Sequence, residues 1–79
     1  MKVNVTVMLK QGVLDPQGKA IARALHGLGF EGVEDVRAGK LIELDLAETN
    51  PDAARAAAEA MAQKLLANSV IESFRVELG

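Results

Sequence analysis

The chain has 79 residues, no cysteine, one histidine and a formal net charge of −2. A domain this small buries only about 60% of the surface its unfolded chain exposes. Disulfides are excluded, and His26 alone makes no structural zinc site, which needs a set of Cys or His ligands. Oligomerisation is the remaining route to added stability, so a homo-oligomer is expected. The weak negative charge offers no field for nucleic acid, and the only aromatics, Phe30 and Phe74, make no stacking platform for bases.

Hydrophobic residues are 49% and charged residues 25% of the chain, an ordinary globular composition for one domain spanning residues 1–79. The N-terminus alternates at once and lacks the apolar run of a signal peptide. No apolar stretch approaches the length that spans a bilayer. A cytoplasmic protein is expected.

Residues 2–10 alternate strictly. Val3, Val5, Val7 and Leu9 point one way, while Lys2, Asn4, Thr6 and Lys10 point the other, with Met8 breaking the polar face. Period two with β-branched residues predicts a half-buried strand. Asp15 then stands ready to cap a helix, and Pro16 takes the first helical position, where its missing N–H costs nothing. The helix is predicted from Pro16 to about Leu28, burying a stripe of Ile21, Leu25 and Leu28 with Ala24 beside it. Gly29 is the expected left-handed stop, with Phe30 folding back onto Leu25.

Between Val36 and Leu46 the even positions carry Ile42, Leu44 and Leu46, while the odd ones carry Glu43 and Asp45. A two-residue turn at Ala38-Gly39 would split this apolar set between two faces, so one continuous strand, bulged near Gly39, is preferred. A wider loop over residues 37–40, restoring parity within a hairpin, is the competing arrangement. Residues 35–47 fully extended would reach about 43 Å at ~3.3 Å per residue. That overhangs a domain whose radius of gyration should be near 12 Å. An overhanging strand presents an unpaired edge, so the segment is expected to pair across a dimer, with Ile42, Leu44 and Leu46 at the interface. On this reading Ile42→Asp breaks the dimer.

Asn50-Pro51 repeats the cap-then-proline signal, with Asp52 in the favourable first turn. A second helix is predicted from Pro51 to about Ala67. Ala54, Ala58, Met61 and Leu65 lie on one face with Ala57 beside them, and Asn68 is the left-handed terminator. The last strand covers residues 70–78, with Phe74, Val76 and Leu78 inward and Ser73, Arg75 and Glu77 outward. The predicted fold class is α+β, a ferredoxin-like βα(β)βαβ order: both helices cover one face of an antiparallel sheet, and a long central strand pairs across a dimer.

Chemistry is thinly represented. His26 lies off the apolar stripe and lacks the partners a catalytic histidine requires. Asp15 is accounted for as a helix cap. The Gly12-to-Gly18 stretch is neither a Walker A sequence nor a GxGxxG, and Asp15 sits where a bound anion would be. Arg37 and Lys40 flank Gly39; they read either as solvated edge charges or as contacts to a partner or anion, since glycine in a strand marks close backbone approach. Glu31, Glu34 and Asp35 form a solvated turn, and Ala56, Ala60 and Gln63 are an outer surface available for docking.

The run Leu9-Lys10-Gln11-Gly12-Val13-Leu14-Asp15-Pro16-Gln17-Gly18-Lys19-Ala20 resembles the hallmark of the PurS family, an LK-x-GVLDPQG-x-A stretch after the first strand. The likeness continues through Leu28-Gly29-Phe30, Val36-Arg37, Gly39-Lys40, Glu43-Leu44, Leu65-Leu66-Ala67-Asn68 and Val70-Ile71-Glu72-Ser73-Phe74, and so spans the chain. The resemblance implies a non-catalytic, dimeric subunit of phosphoribosylformylglycinamidine (FGAM) synthase, an ATP-hydrolysing ligase of purine biosynthesis that uses formylglycinamide ribonucleotide, glutamine and ATP. A glutaminase subunit, PurQ, would release ammonia, and a synthetase subunit, PurL, would use it with ATP and Mg. PurS would bridge the two and assist ammonia transfer, binding no cofactor or metal itself. Gly12, Val13, Leu14, Asp15, Pro16, Gln17 and Gly18, together with Arg37, Gly39 and Lys40, are the expected partner contacts. Two other classes share the element order. An ACT-like regulatory module would bind a small ligand between subunits, and an acylphosphatase-like hydrolase would need an arginine in the loop where this chain has Gln11-Gly12-Val13-Leu14.

Overall fold

Val3, Val5 and Val7 set the centre of the molecule, because β-branched side chains at every second position favour a pleated backbone. In the computed structural model, which describes residues 1–79, they belong to β1 (Lys2–Leu9). That strand lies between β2 (Gly39–Asp45) and β3 (Glu72–Leu78) in a 3-stranded antiparallel sheet. Val3 stands opposite Leu44 and Leu78, Val5 opposite Ile42 and Val76, and Val7 opposite Lys40 and Phe74. Directly opposed residues share a face, so one face gathers the apolar set. The three valines are essentially inaccessible, each contributing roughly 1.5–3 kcal/mol by burial.

The cover over this face is α2 (Pro51–Met61), which packs on β1 and β3. Asn50 caps it, its side chain accepting from the backbone N–H groups of Asp52 and Ala53. Ala54, Ala58 and Ala62 are fully buried; side chains this small allow the helix to lie close to the valines. Arg55 pins it further, donating from Nη1 to the Val76 carbonyl at 3.0 Å.

Two expectations for this helix need correction. A regular α-helix would carry Met61 and Leu65 inward, but the chain widens into a π-helical turn over Ala62–Leu66. The wider turn retards the rotation, so Leu66 faces the core while Leu65 is 83% exposed. Met61, before that turn, is also exposed because the inward row of α2 runs through Ala54 and Ala58 to Ala62. Asn68 is not left-handed, because no residue other than glycine has a positive φ. It instead organises the next turn by hydrogen bonds. Its side chain accepts from Val70 N–H, its own N–H donates to Glu72 Oε1, and its carbonyl accepts from Ile71 and Glu72.

The first helix, α1 (Pro16–Gly27), begins and ends as the sequence predicts. Asp15 Oδ1 accepts from Gly18 N–H at 2.8 Å. At the other end Gly29 has φ +98°, Phe30 N–H donates to Leu25 O, and Gly29 N–H donates to His26 O. This pair of bonds is a Schellman stop. What the sequence misplaces is the helix's packing. Gly18 is the only residue of α1 that is buried, Leu28 is 74% and Phe30 58% exposed, and no residue of α1 joins the core. The expected Ile21–Leu28 stripe is therefore largely uncovered within the protomer, with Leu25 alone half-buried, and α2 alone roofs the core.

The segment before β2 settles the parity question. No hairpin forms at residues 37–40, and no long strand forms either. Residues 33–38 run without sheet pairing, and β2 starts only at Gly39. It is also an edge strand, with β1 in the middle. Gly39 sits where a Cβ would lie 2.6 Å from the Val7 carbonyl oxygen, so the close backbone approach anticipated there is made by the chain's own β1. The molecule measures 48 × 24 × 14 Å with a Cα radius of gyration of 15.8 Å, well above the ~12 Å of a compact domain this long.

Candidate functional site

The two stretches singled out by sequence, Gly12–Gly18 and Arg37–Lys40, meet in one corner at the root of α1. Leu9 ends β1, and a turn closes with Val13 N–H donating to Lys10 O. Gly12 takes φ +83°, a backbone state that glycine adopts without steric cost. The turn is anchored across the sheet by Lys10, whose N–H donates to Ile71 O and whose Nζ donates to Ser69 O, each at 2.8 Å.

Asp15 is the junction. Besides the Oδ1 bond to Gly18, its Oδ2 accepts from the backbone N–H of Ala38 at 2.8 Å, 23 residues away. The bond from Gly18, then the one from Ala38, and less strongly the nearby Arg37 guanidinium, hold its carboxyl below the ordinary aspartate value. Arg37 itself turns back and donates from Nη2 to the Leu9 carbonyl. At Gly18 the 36–38 segment crosses so closely that a Cβ would collide with the Val36 carbonyl oxygen. Asp15, Gly18 and Arg37 thus spend their polar groups and their space inside the chain.

Others in the corner face solvent. An open cleft of about 270 Å³ is bordered by Gln11, Gly12, Val13, Leu14, Asp15 and Arg37, with Lys19 and Asp35 at its rim. A second, of about 240 Å³, lies on the other side of Asp15 against Gln17, Gly39 and Lys40. Leu14 is 66% exposed, and Pro16, Gln17 and Lys40 are exposed as well. Opposite charges alternate around these clefts, and they offer no concentrated field for an anion or a cation. His26 is far in function from any such cleft, since its Nε2 is 2.7 Å from the Val33 carbonyl oxygen, which ties the end of α1 to the segment that follows.

Ile42, Leu44 and Leu46 are half-buried and pack against the chain's own core. Ile42→Asp would therefore strike the protomer first, whatever it did to a dimer. What β2 leaves free is its outer backbone edge and Leu41, which is exposed. Sequence reasoning missed the Asp15–Ala38 bond, the Val36 crossing over Gly18 and the Arg55 tie. The first two had one legible signal, a glycine in the first turn of a helix, where alanine would be favoured unless another backbone came close.

The element order and the sheet define a small α+β protein, with the two loop stretches joined at the root of α1. Comparison with known proteins makes that class specific. The family model described as PurS, phosphoribosylformylglycinamidine (FGAM) synthase, matches residues 2–79. The chain is 48% identical over 77 residues to the FGAM synthase subunit PurS of Bacillus subtilis, covering 98% of this chain and 90% of that protein. The Mycobacterium leprae subunit is 49% identical over 72 residues, covering 91% and 87%. Among solved structures, Bacillus subtilis PurS superposes with a TM-score of 0.84 at 47% identity, covering 96% and 94%. A chain of the PurLQS structure from Thermotoga maritima does so with a TM-score of 0.87 at 30% identity, covering 96% and 93%. The chain belongs to the PurS family, subunits of FGAM synthase in purine biosynthesis.

Proposed function

We propose that this chain works as a non-catalytic bridge in FGAM synthase, holding a PurQ glutaminase against a PurL synthetase and assisting ammonia transfer between them. The observation that carries this reading is the full-length match to PurS, including a chain of a solved PurLQS structure. The corner at the root of α1 supports it. Its ionisable junction, Asp15, is engaged by backbone N–H groups, while Gly12, Leu14, Pro16, Gln17, Gly39 and Lys40 face outward as docking contacts, with the half-buried Val13 beside them. Ammonia in water is largely protonated and non-nucleophilic, so its passage needs walls that exclude water. Such walls require no acid, base, metal or cofactor from this subunit; ATP and Mg belong to the synthetase.

The working unit is a homodimer. An apolar stripe on α1 without cover, an unpaired β2 edge and a radius of gyration suited to a longer chain all ask for a second copy. Its place is the cytoplasm, with the other synthase subunits; no helix is long and apolar enough to cross a membrane. Family membership removes the ground for the ACT-like and acylphosphatase-like readings.

Gel filtration of the three proteins from one host tests the bridge. Synthetase and glutaminase should co-elute only when this chain is present. Co-elution of those two without it would contradict the proposal.

A further inference from the structure

α1 leaves the sheet with little to fix its direction, since Gly18 is its only buried residue and the core contains none of it. Yet its first turn is rooted by three contacts: Ala38 N–H on Asp15 Oδ2, the Val36 carbonyl against Gly18, and Arg37 on the Leu9 carbonyl. At its far end His26 Nε2 lies 2.7 Å from the Val33 carbonyl oxygen of the same segment. Capping alone does not call for a carboxylate at residue 15. Asparagine and serine cap helices equally well. At Asp15 the two N–H groups reach separate oxygens, and an ionised carboxylate presents two acceptor oxygens and no donor. An amide, whose single oxygen can take two N–H groups as Asn50 does at α2, would turn its NH2 on one of them. Glycine at residue 18 follows the same logic: the crossing backbone leaves no room for a side chain.

We infer that Asp15 is a positioning residue that clamps the 36–38 segment onto the first turn of α1 and thereby sets the angle at which the helix leaves the sheet. The clamp ties both strands that lead to the arm, the end of β1 and the approach to β2, to the helix itself. Its consequence rests on the dimer reading above. With the angle fixed, the uncovered stripe of α1 and the free edge of β2 stand at a set separation, the one at which a second copy pairs. The charged groups around the clamp are Lys19, Asp35 and Arg37 on one side and Lys40 and Glu72 on the other.

The test uses the full chain and Asp15→Asn, which keeps a capping oxygen for Gly18 and turns an amide donor towards Ala38. Amide hydrogen exchange, small-angle scattering and sedimentation equilibrium are read together. The Ala38 amide should exchange about tenfold faster and the dimer dissociation constant should rise by a similar factor, as befits one lost charge-assisted bond. Protection of the β1 amides should be unchanged. Gly18→Ala, which keeps the carboxylate and displaces the crossing segment, should do the same. Unchanged Ala38 exchange, loss of protection throughout β1 in both variants, or a loosened Ala38 with dimerisation unaltered would each overturn the inference. If the wild-type chain is monomeric at every concentration, the dimer reading fails by itself. The clamp then stands if Asp15→Asn enlarges the monomer's scattering radius, and falls if it does not.

Discussion

Asp15 combines two structural tasks that a sequence shows as one. Its cap on α1 is visible from Asp15-Pro16, whereas its bond to Ala38 depends on a segment 23 residues away. The two bonds leave a chemical trace, because they favour the ionised form and hold the carboxyl below the 3.8 of an ordinary aspartate. Glu48 is lowered in the same direction by the backbone N–H groups of Asn50 and Thr49. A group whose folded value is depressed stabilises the fold fully above its unfolded value, and that contribution disappears as the pH falls through the folded one. Wild type and Asp15→Asn should therefore differ in urea midpoint at neutral pH and converge as the solution is acidified below 3.8. A gap that persists undiminished in acid would mean that the carboxylate's charge contributes nothing.

Among the elements, the strands and both helix starts were legible because their causes are local: alternation in β1, cap-then-proline at α1 and α2, Gly29 as a stop. The rest is decided by packing. Nothing in the Ala62–Leu66 sequence announces a π-helical turn, and the 3.6-residue rule therefore placed Leu65 inward. Parity in residues 36–46 correctly argued against a hairpin, but could not tell that pairing starts only at Gly39. The apolar stripe of α1 was read correctly as apolar and wrongly as covered by its own sheet, because periodicity reports that a face is to be buried without saying by which chain. The π turn can be checked by substitution. Ala58→Leu should cost about 1–3 kcal/mol by overpacking against the valines, and Leu65→Ser should stay within about 0.5 kcal/mol, as an exposed site does. Chemical denaturation measures both; a large loss from Leu65→Ser would mean that Leu65 belongs to the core or to an obligate interface.

At the scale of the molecule, a small core of valines and alanines supports an elongated body whose outer features are an arm, a free strand edge and a corner of solvent-facing loop residues. This is the anatomy expected of a part that arranges larger partners. The corner was legible only as two separate stretches; that they adjoin is a fact of the fold, made by the chain crossing at Gly18. On the bridging proposal, the subunit contributes geometry to ammonia transfer and takes no part in bond-making. Reconstituted synthetase and glutaminase, supplied with formylglycinamide ribonucleotide and ATP, should make FGAM from ammonium salt whether or not this chain is present, and from glutamine only when it is. Glutamine-supported synthesis at an undiminished rate without the chain would contradict the account.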